Sequence, residues 1–272
     1  DRDWSSDVCS SDLGGESANG LSKKVYAIQR EKDEISIVKL PELPIAISNA
    51  ALVNIQDQLY LAGGETSTET SAQLLVLDLK NLNLGWKKLT NIPVPVSHTV
   101  MVKQAQGLQY KLYLLGGRTK TPSGISEIYN TIYEYDIVKN TWHQKASLPY
   151  PLAAGTGIAI DKEQILLIGG DKGLVFNKVE KMIVAINNEI DPQKKATLNT
   201  QKIQLQNTHP GFSNEVILYH SVKDKCKKIG EVPFAVPVTT NTFKTGEYIY
   251  ITSGEIRAGV RAPYILSGKI IQ

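Results

Sequence analysis

A chain of 272 residues with 30 Lys plus Arg against 27 Asp plus Glu has room for one large domain or two ordinary ones. A net charge of +3 over this length supplies no basic stripe of the kind that holds a nucleic-acid backbone. No window reaches the ~18 apolar residues of a membrane-spanning helix, and two cysteines, Cys9 and Cys226, are too few for a disulfide framework.

The opening stretch, DRDWSSDVCSSDL (1–13), shows neither periodicity nor the apolar run of a signal peptide. It looks like translated adapter sequence, so residues 1–13 are expected to stand apart from the fold as a non-native leader. The domain is expected to occupy residues 14–272. Its opening, Gly14, falls in the middle of a repeat, so any export signal is expected to have preceded it.

From Gly14 onward the chain repeats. A glycine pair closes an apolar segment at Gly14-Gly15, in LYLAGG before Glu65, in LYLLGG before Arg118 and in ILLIGG before Asp171. A degenerate copy, YITSG, precedes Glu255. The second glycines are 49, 53, 53 and 84 residues apart. Ahead of each pair comes a proline-rich approach: LPELP (40–44), IPVPV (92–96), LPYPL (148–152) and VPFAVP (232–237). After each pair comes an alternating strand: KVYAI (24–28), LLVLDL (74–79), TIYEYDI (131–137) and EVILYHS (215–221). Two copies then reach a tryptophan, Trp86 and Trp142, whose place Cys226 takes in the next copy.

Four short strands per ~50 residues, punctuated by turn residues, is the pattern of one propeller blade. Glycines allow close backbone approach and positive φ on crowded inner strands, and prolines interrupt pairing between blades. A flat tryptophan fills the space between neighbouring blades, and Tyr133 and Tyr135 fit blade packing. The expected fold is an all-β propeller, with three largely complete modules and partial ends. The 84-residue step contains an insertion of more than 20 residues, at 172–213. Within it, VEKMIVAI (179–186) reads equally as strand or helix by periodicity. Long inserts in a regular array usually lie on one face, often the binding face, so this one is expected to cover the face that carries Arg118, Glu255 and Arg257.

The blade pattern resembles the kelch family throughout residues 14–272, which implies six blades when intact and here an incomplete ring. HPGFSNEVILYHS (209–221), IGEVPFAVPVTTN (229–241) and SGEIRAGVRAP (253–263) are similar to the cyclically permuted mutarotase family, relatives of N-acetylneuraminate epimerase. That resemblance implies a sialic-acid mutarotase, exchanging the α and β anomers of N-acetylneuraminate, with a periplasmic location.

Mutarotation opens a pyranose ring, so it needs an acid and a base in a water-restricted pocket. An anionic sugar also calls for a forked arginine on its carboxylate. No cofactor or metal is required, and the four histidines show no ligand spacing. The residues just after the glycines are the substrate-binding candidates: Glu65, Arg118 and Asp171, together with Arg257 and Arg261 behind Glu255. Glu255, His209 and Glu215 are the candidates for proton transfer, and His98 and His143 are read as ordinary strand or edge residues. His209 resembles a pocket histidine of the family; in the non-permuted epimerases a glutamate follows it, and here Pro210 does. A non-enzymatic propeller that binds a protein or glycan is the competing reading. A copper radical oxidase would need a Cys–Tyr crosslink and His ligands, for which Cys226 is poorly placed. Oligomeric state is not encoded in any of these features.

Overall fold

The computed structural model describes residues 8–31, 34–107 and 109–271. Three four-stranded antiparallel sheets each run in simple sequence order. They are Ala51–Ile55, Gln58–Ala62, Leu74–Asp78 and Trp86–Lys88; then Val100–Gln106, Gln109–Leu115, Ile132–Asp136 and Thr141–Gln144; then Thr156–Ala159, Gln164–Ile168, Glu215–His220 and Lys225–Glu231. Two three-stranded sheets join them. One comprises Val8–Leu13, Val25–Glu31 and Glu34–Leu40, the other Thr242–Thr245, Tyr248–Ile251 and Leu266–Lys269. Up-and-down sheets of this kind are propeller blades, and the fold is a β-propeller, as the repeat implies. No described helix is long and apolar enough to cross a membrane.

The leader departs from expectation at Val8–Leu13. Val8–Leu13 pairs antiparallel with Val25–Gln29, in register Leu13↔Val25 and Asp12↔Tyr26. The edge of a sheet offers unpaired N–H and C=O groups that any extended backbone can satisfy, whatever its side chains. Residues 1–7 lie outside the described residues.

The chain divides into two compact units, residues 1–97 with 135–142, and residues 98–134 with 143–272. In the first, Val25, Leu40, Leu59, Leu61, Leu75 and Leu77 form a core between sheets, and Trp86 packs against it. The Trp86 indole N–H donates to the Pro41 carbonyl at 2.9 Å, and that of Trp142 to the Thr90 carbonyl at 3.1 Å. Each indole N–H thus bonds a carbonyl of the loop that precedes its own sheet in the chain.

In the second unit the core alternates along the strands, with Tyr113, Leu115, Ile165, Leu167, Ile217 and Tyr219 all facing inward. The first strand of each sheet is innermost here. Thr156 and Thr242, on successive first strands, share a hydroxyl hydrogen bond of 2.5 Å. A Cβ on Gly157 would come within 2.8 Å of Val100 Cγ1.

The glycine pairs therefore close the second strands, not the innermost ones. What demands glycine is the proline segment of the next blade. Gly116 and Gly117 have φ of +60° and +106°, and Gly117 N–H donates to Leu152 O at 2.8 Å. A Cβ on Gly116 would lie 2.2 Å from that carbonyl. Prolines in the approaching segment leave the carbonyls of their neighbours to accept these bonds.

Candidate functional site

In each of the four sheets from Ala51 onward the chain leaves the second strand at the glycine, makes an excursion, and returns as the third strand. The residue after the glycine is thus set at the same station each time, at Glu65, Arg118, Asp171 and Glu255. Three of the four are fixed by an isolated antiparallel bridge to the approach segment: Ser48↔Glu65, Ala153↔Asp171 and Val238↔Glu255. Just beyond each bridge partner comes a non-glycine residue with positive φ: Asn49 at 54°, Ala154 at 56° and Thr239 at 49°. His98, at 51°, holds the same place. In the second unit these residues form a backbone chain, because Ala154 N–H donates to His98 O at 2.7 Å and Thr239 N–H to Ala154 O at 3.0 Å. Asp171 and Glu255 are each one bridge away from that chain. The excursions at 118–128, 171–214 and 255–261 consequently rise from one end of the second unit's sheets.

The excursion from Asp171 is the insertion, and it folds as two helices, α1 (Phe176–Asn188) and α2 (Pro192–Asn207). Apolar residues at 179, 182, 183 and 186 set the period that α1 adopts. Asp191 caps α2 by accepting from Gln193 N at 2.8 Å and Lys194 N at 3.1 Å, with Pro192 in the first turn. The Asp-Pro pair is the signal in the sequence that marks this helix start. Helix α1 lies against the small hairpin Arg118–Thr119/Glu127–Ile128. Its Glu180 carboxylate receives both the Ser126 N–H and the Ser126 hydroxyl at 2.7 Å. The far end of the insertion reaches the other hairpin, where a Cβ on Gly211 would sit 3.6 Å from Ile256 O. The insertion therefore touches the excursions of Arg118 and of Glu255–Arg257, the face expected of it.

Arg118 is half-buried. Its guanidinium carbon stands 4.1 Å from the centre of the Phe176 ring, and one Nη is 3.4 Å from His98 Nε2. His98, read from sequence as an ordinary strand or edge residue, sits beside this cation; the signal that could have found it is its register with Asn49, Ala154 and Thr239. Asp171 turns its Oδ1 back to the Gly173 N–H at 2.8 Å, which shapes the start of the insertion.

His209 accepts the Gly211 N–H on Nδ1 at 3.0 Å and packs its ring 4.9 Å from that of Phe212. With Nδ1 an acceptor, the neutral ring carries its proton on Nε2, so the ring can donate there. Glu255 opens the hairpin Glu255–Arg257/Val260–Arg261 and accepts the N–H of Gly259 at the hairpin tip. Arg257 and Arg261 on the same hairpin are exposed.

Glu215 has other work than a base. It accepts from the Tyr150 hydroxyl, from Lys172 at 2.5 Å and from Lys228 at 2.7 Å. Burial favours its protonated form, but the two ammonium groups and the phenol outweigh burial and hold its pKa at about 2. A carboxylate so acidic is a poor proton acceptor near neutral pH. Burial, and then this hydrogen bond, push the Tyr150 phenol well above its ordinary value. Lys172 also lies 4.0 Å over the Tyr150 ring, so the two roots of the insertion are pinned to each other and to the preceding blade's proline segment.

Glu65 belongs to the first unit. It is 7% exposed, and its Oε1 accepts the Ser97 hydroxyl at 2.9 Å. The candidate site around Arg118, Asp171 and Glu255 is built from second-unit residues alone.

A family model described as "NANM: N-acetylneuraminate epimerase" matches residues 40–272. A protein of Pasteurella multocida (strain Pm70) named N-acetylneuraminate epimerase is 26% identical over 231 residues, covering 85% of this chain and 58% of the relative. One of the same name from Brucella melitensis biotype 1 is 26% identical over 228 residues, covering 82% of this chain and 57% of the relative. The chain thus spans under three fifths of the length of these relatives. A solved structure described as "Structure of YjhT" superposes with a TM-score of 0.67, covering 85% of this chain and 65% of that one, at 17% identity. That likeness concerns the fold.

Proposed function

This chain belongs to the N-acetylneuraminate epimerase family, and from that premise we propose that it exchanges the α and β anomers of N-acetylneuraminate by acid–base ring opening. The reaction needs a cation for the sugar's carboxylate, a base for the anomeric hydroxyl and an acid for the ring oxygen. The observation that carries the reading is the common station of Arg118, Asp171 and Glu255, from which the three excursions rise at one end of the second unit. Arg257, with Arg261 and Arg118, supplies the carboxylate contact. Glu255 takes the anomeric proton and His209 donates from Nε2. Asp171 shapes the pocket edge, and Glu215 holds the insertion in place. The exchange belongs with sugar-acid uptake, and by family likeness we place it in the periplasm.

The test is a proton NMR time course of anomeric equilibration, starting from freshly released N-acetylneuraminate. The wild-type chain should shorten it relative to buffer. Arg257→Ala should weaken substrate engagement by roughly 30- to 1000-fold, the range for losing a charge-assisted bidentate contact of ~2–4 kcal/mol. Arg257→Lys should recover part of that, since an ammonium cannot make the fork. Glu255→Gln should lower kcat and leave binding near normal. Wild-type-like exchange in Glu255→Gln would place the base elsewhere. No acceleration by the wild-type chain would favour the alternative, a propeller that binds a partner without chemistry.

A further inference from the structure

Helix α1 is held to the sheets in an unusual way. Its buried apolar surface is small, with Ile186 its one buried residue. Its attachment to the 118–128 hairpin is polar and cationic instead. Glu180 grips Ser126, itself only 5% exposed, by both N–H and hydroxyl at 2.7 Å. The Phe176 ring covers the Arg118 guanidinium at 4.1 Å. The approach is tight on both sides of these contacts. A Cβ on Gly124 would come within 2.8 Å of Val184, and one on Gly173 within 2.1 Å of Ile128.

We infer that Phe176 and Glu180 are positioning residues for Arg118, through which the insertion of one blade sets the direction in which the preceding hairpin presents its cation. This rests on the reading that Arg118 meets the substrate carboxylate. A guanidinium bonds a carboxylate in its own plane, through its N–H groups. The Phe176 ring, with its centre 4.1 Å from the guanidinium carbon, offers the cation a π face and no hydrogen-bond acceptor, so it holds the group without competing for the anion. His98 Nε2, 3.4 Å from one Nη, constrains rotation within the plane. Glu180 fixes the backbone at Ser126, the residue immediately before the strand that pairs with Arg118–Thr119, so the hairpin cannot swing away from the ring.

The test uses three variants of the whole chain: Phe176→Leu, Phe176→Tyr and Glu180→Gln. One readout is the Arg118 Nε–H resonance, which a stacked ring shifts. The other is the split between KM and kcat for anomer exchange, with the Kd for N-acetylneuraminate. Phe176→Leu keeps an apolar side chain of somewhat smaller volume and removes the π face. It should move the Arg118 resonance and raise Kd and KM by roughly 3- to 30-fold, with kcat within about twofold. Phe176→Tyr should return both readouts to wild type, and Glu180→Gln should raise KM in the same direction by less. A lowered Tm in Phe176→Leu with unchanged resonance and KM would overturn the inference and leave the ring a packing element. If the wild-type chain neither binds nor exchanges the sugar, the functional reading falls, and the Arg118 resonance decides the positioning alone. Movement in Phe176→Leu with recovery in Phe176→Tyr supports it; no movement refutes it.

Discussion

Acidification should dissolve the ion cluster that closes the root of the insertion, over the interval in which Glu215 gains its proton. The carboxylate is held at about 2 against an ordinary 4.5 because Lys172, Lys228 and Tyr150 outweigh the opposing effect of burial. The folded pKa lies below the unfolded one, so the ionised form favours the native state. That contribution is fully present above about pH 4.5, declines as the pH falls, and is gone near pH 2. At about 1.36 kcal/mol per tenfold change in proton affinity, the whole drop corresponds to at most about 3.4 kcal/mol. The lysine side chains are 33% and 40% exposed, so water and salt screen both pairs. Screening brings the expected figure to roughly 1–2 kcal/mol. Urea unfolding of wild type and Glu215→Gln, from about pH 7 to about pH 2.5, isolates this term from the other carboxylates. The stability difference between the two should shrink by that amount between about pH 5 and pH 2.5, and should also shrink in high salt. Parallel pH profiles would refute the reasoning, since they would mean that Glu215 has the same proton affinity folded and unfolded.

Two glycines with nearly the same φ should respond differently to alanine. Gly116→Ala meets Leu152 O at 2.2 Å and should lose roughly 3–5 kcal/mol, whereas Gly107→Ala has nothing within 4 Å and should lose only ~1–2 kcal/mol of backbone strain; urea midpoints measure both. Asp224 Oδ1 accepts both Ala146 N–H and the Tyr219 hydroxyl at 2.9 Å, so Asp224→Ala should cost roughly 1–3 kcal/mol by leaving buried donors unpaired. Asp224→Asn should be close to neutral in the same assay, because Asn140 plays that part for Tyr135 and Thr90.

The blades were legible because each obeys its own short-range rules. Alternation in LLVLDL and TIYEYDI, tandem glycines with positive φ and spaced tryptophans repeat every 49 to 53 residues, so one copy checks another. The insertion breaks that check, since it has no second copy. Its helices were still encoded, in the 3.6-residue period of 179–186 and in Asp191-Pro192, but its seat was not. Ser126 and Glu180 are 54 residues apart and share no local pattern. Glu215 shows the same blindness from the other side. A glutamate at the head of a strand looks available for chemistry, and nothing nearby in sequence announces Tyr150, 65 residues away, or Lys172 at the opposite root.

His98 marks where repetition could have carried the reading further. Aligned on the glycines, positions 49, 98, 154 and 239 hold Asn, His, Ala and Thr, with nothing chemical in common. What they share is a left-handed backbone imposed by the close turn into the innermost strand. Asparagine adopts that conformation readily, whereas alanine and threonine do so at a cost of roughly 1 kcal/mol or more. Strain tolerated at Ala154 and Thr239 means the turn is dictated by the blade, and the side chain there is chosen on other grounds. At position 98 the choice places an imidazole 3.4 Å from the guanidinium of Arg118. The scaffold therefore fixes where each side chain starts, through bridges and carbonyl contacts common to all blades. The chemistry varies only in what is set on those fixed stations and in which excursion is lengthened to lie against them.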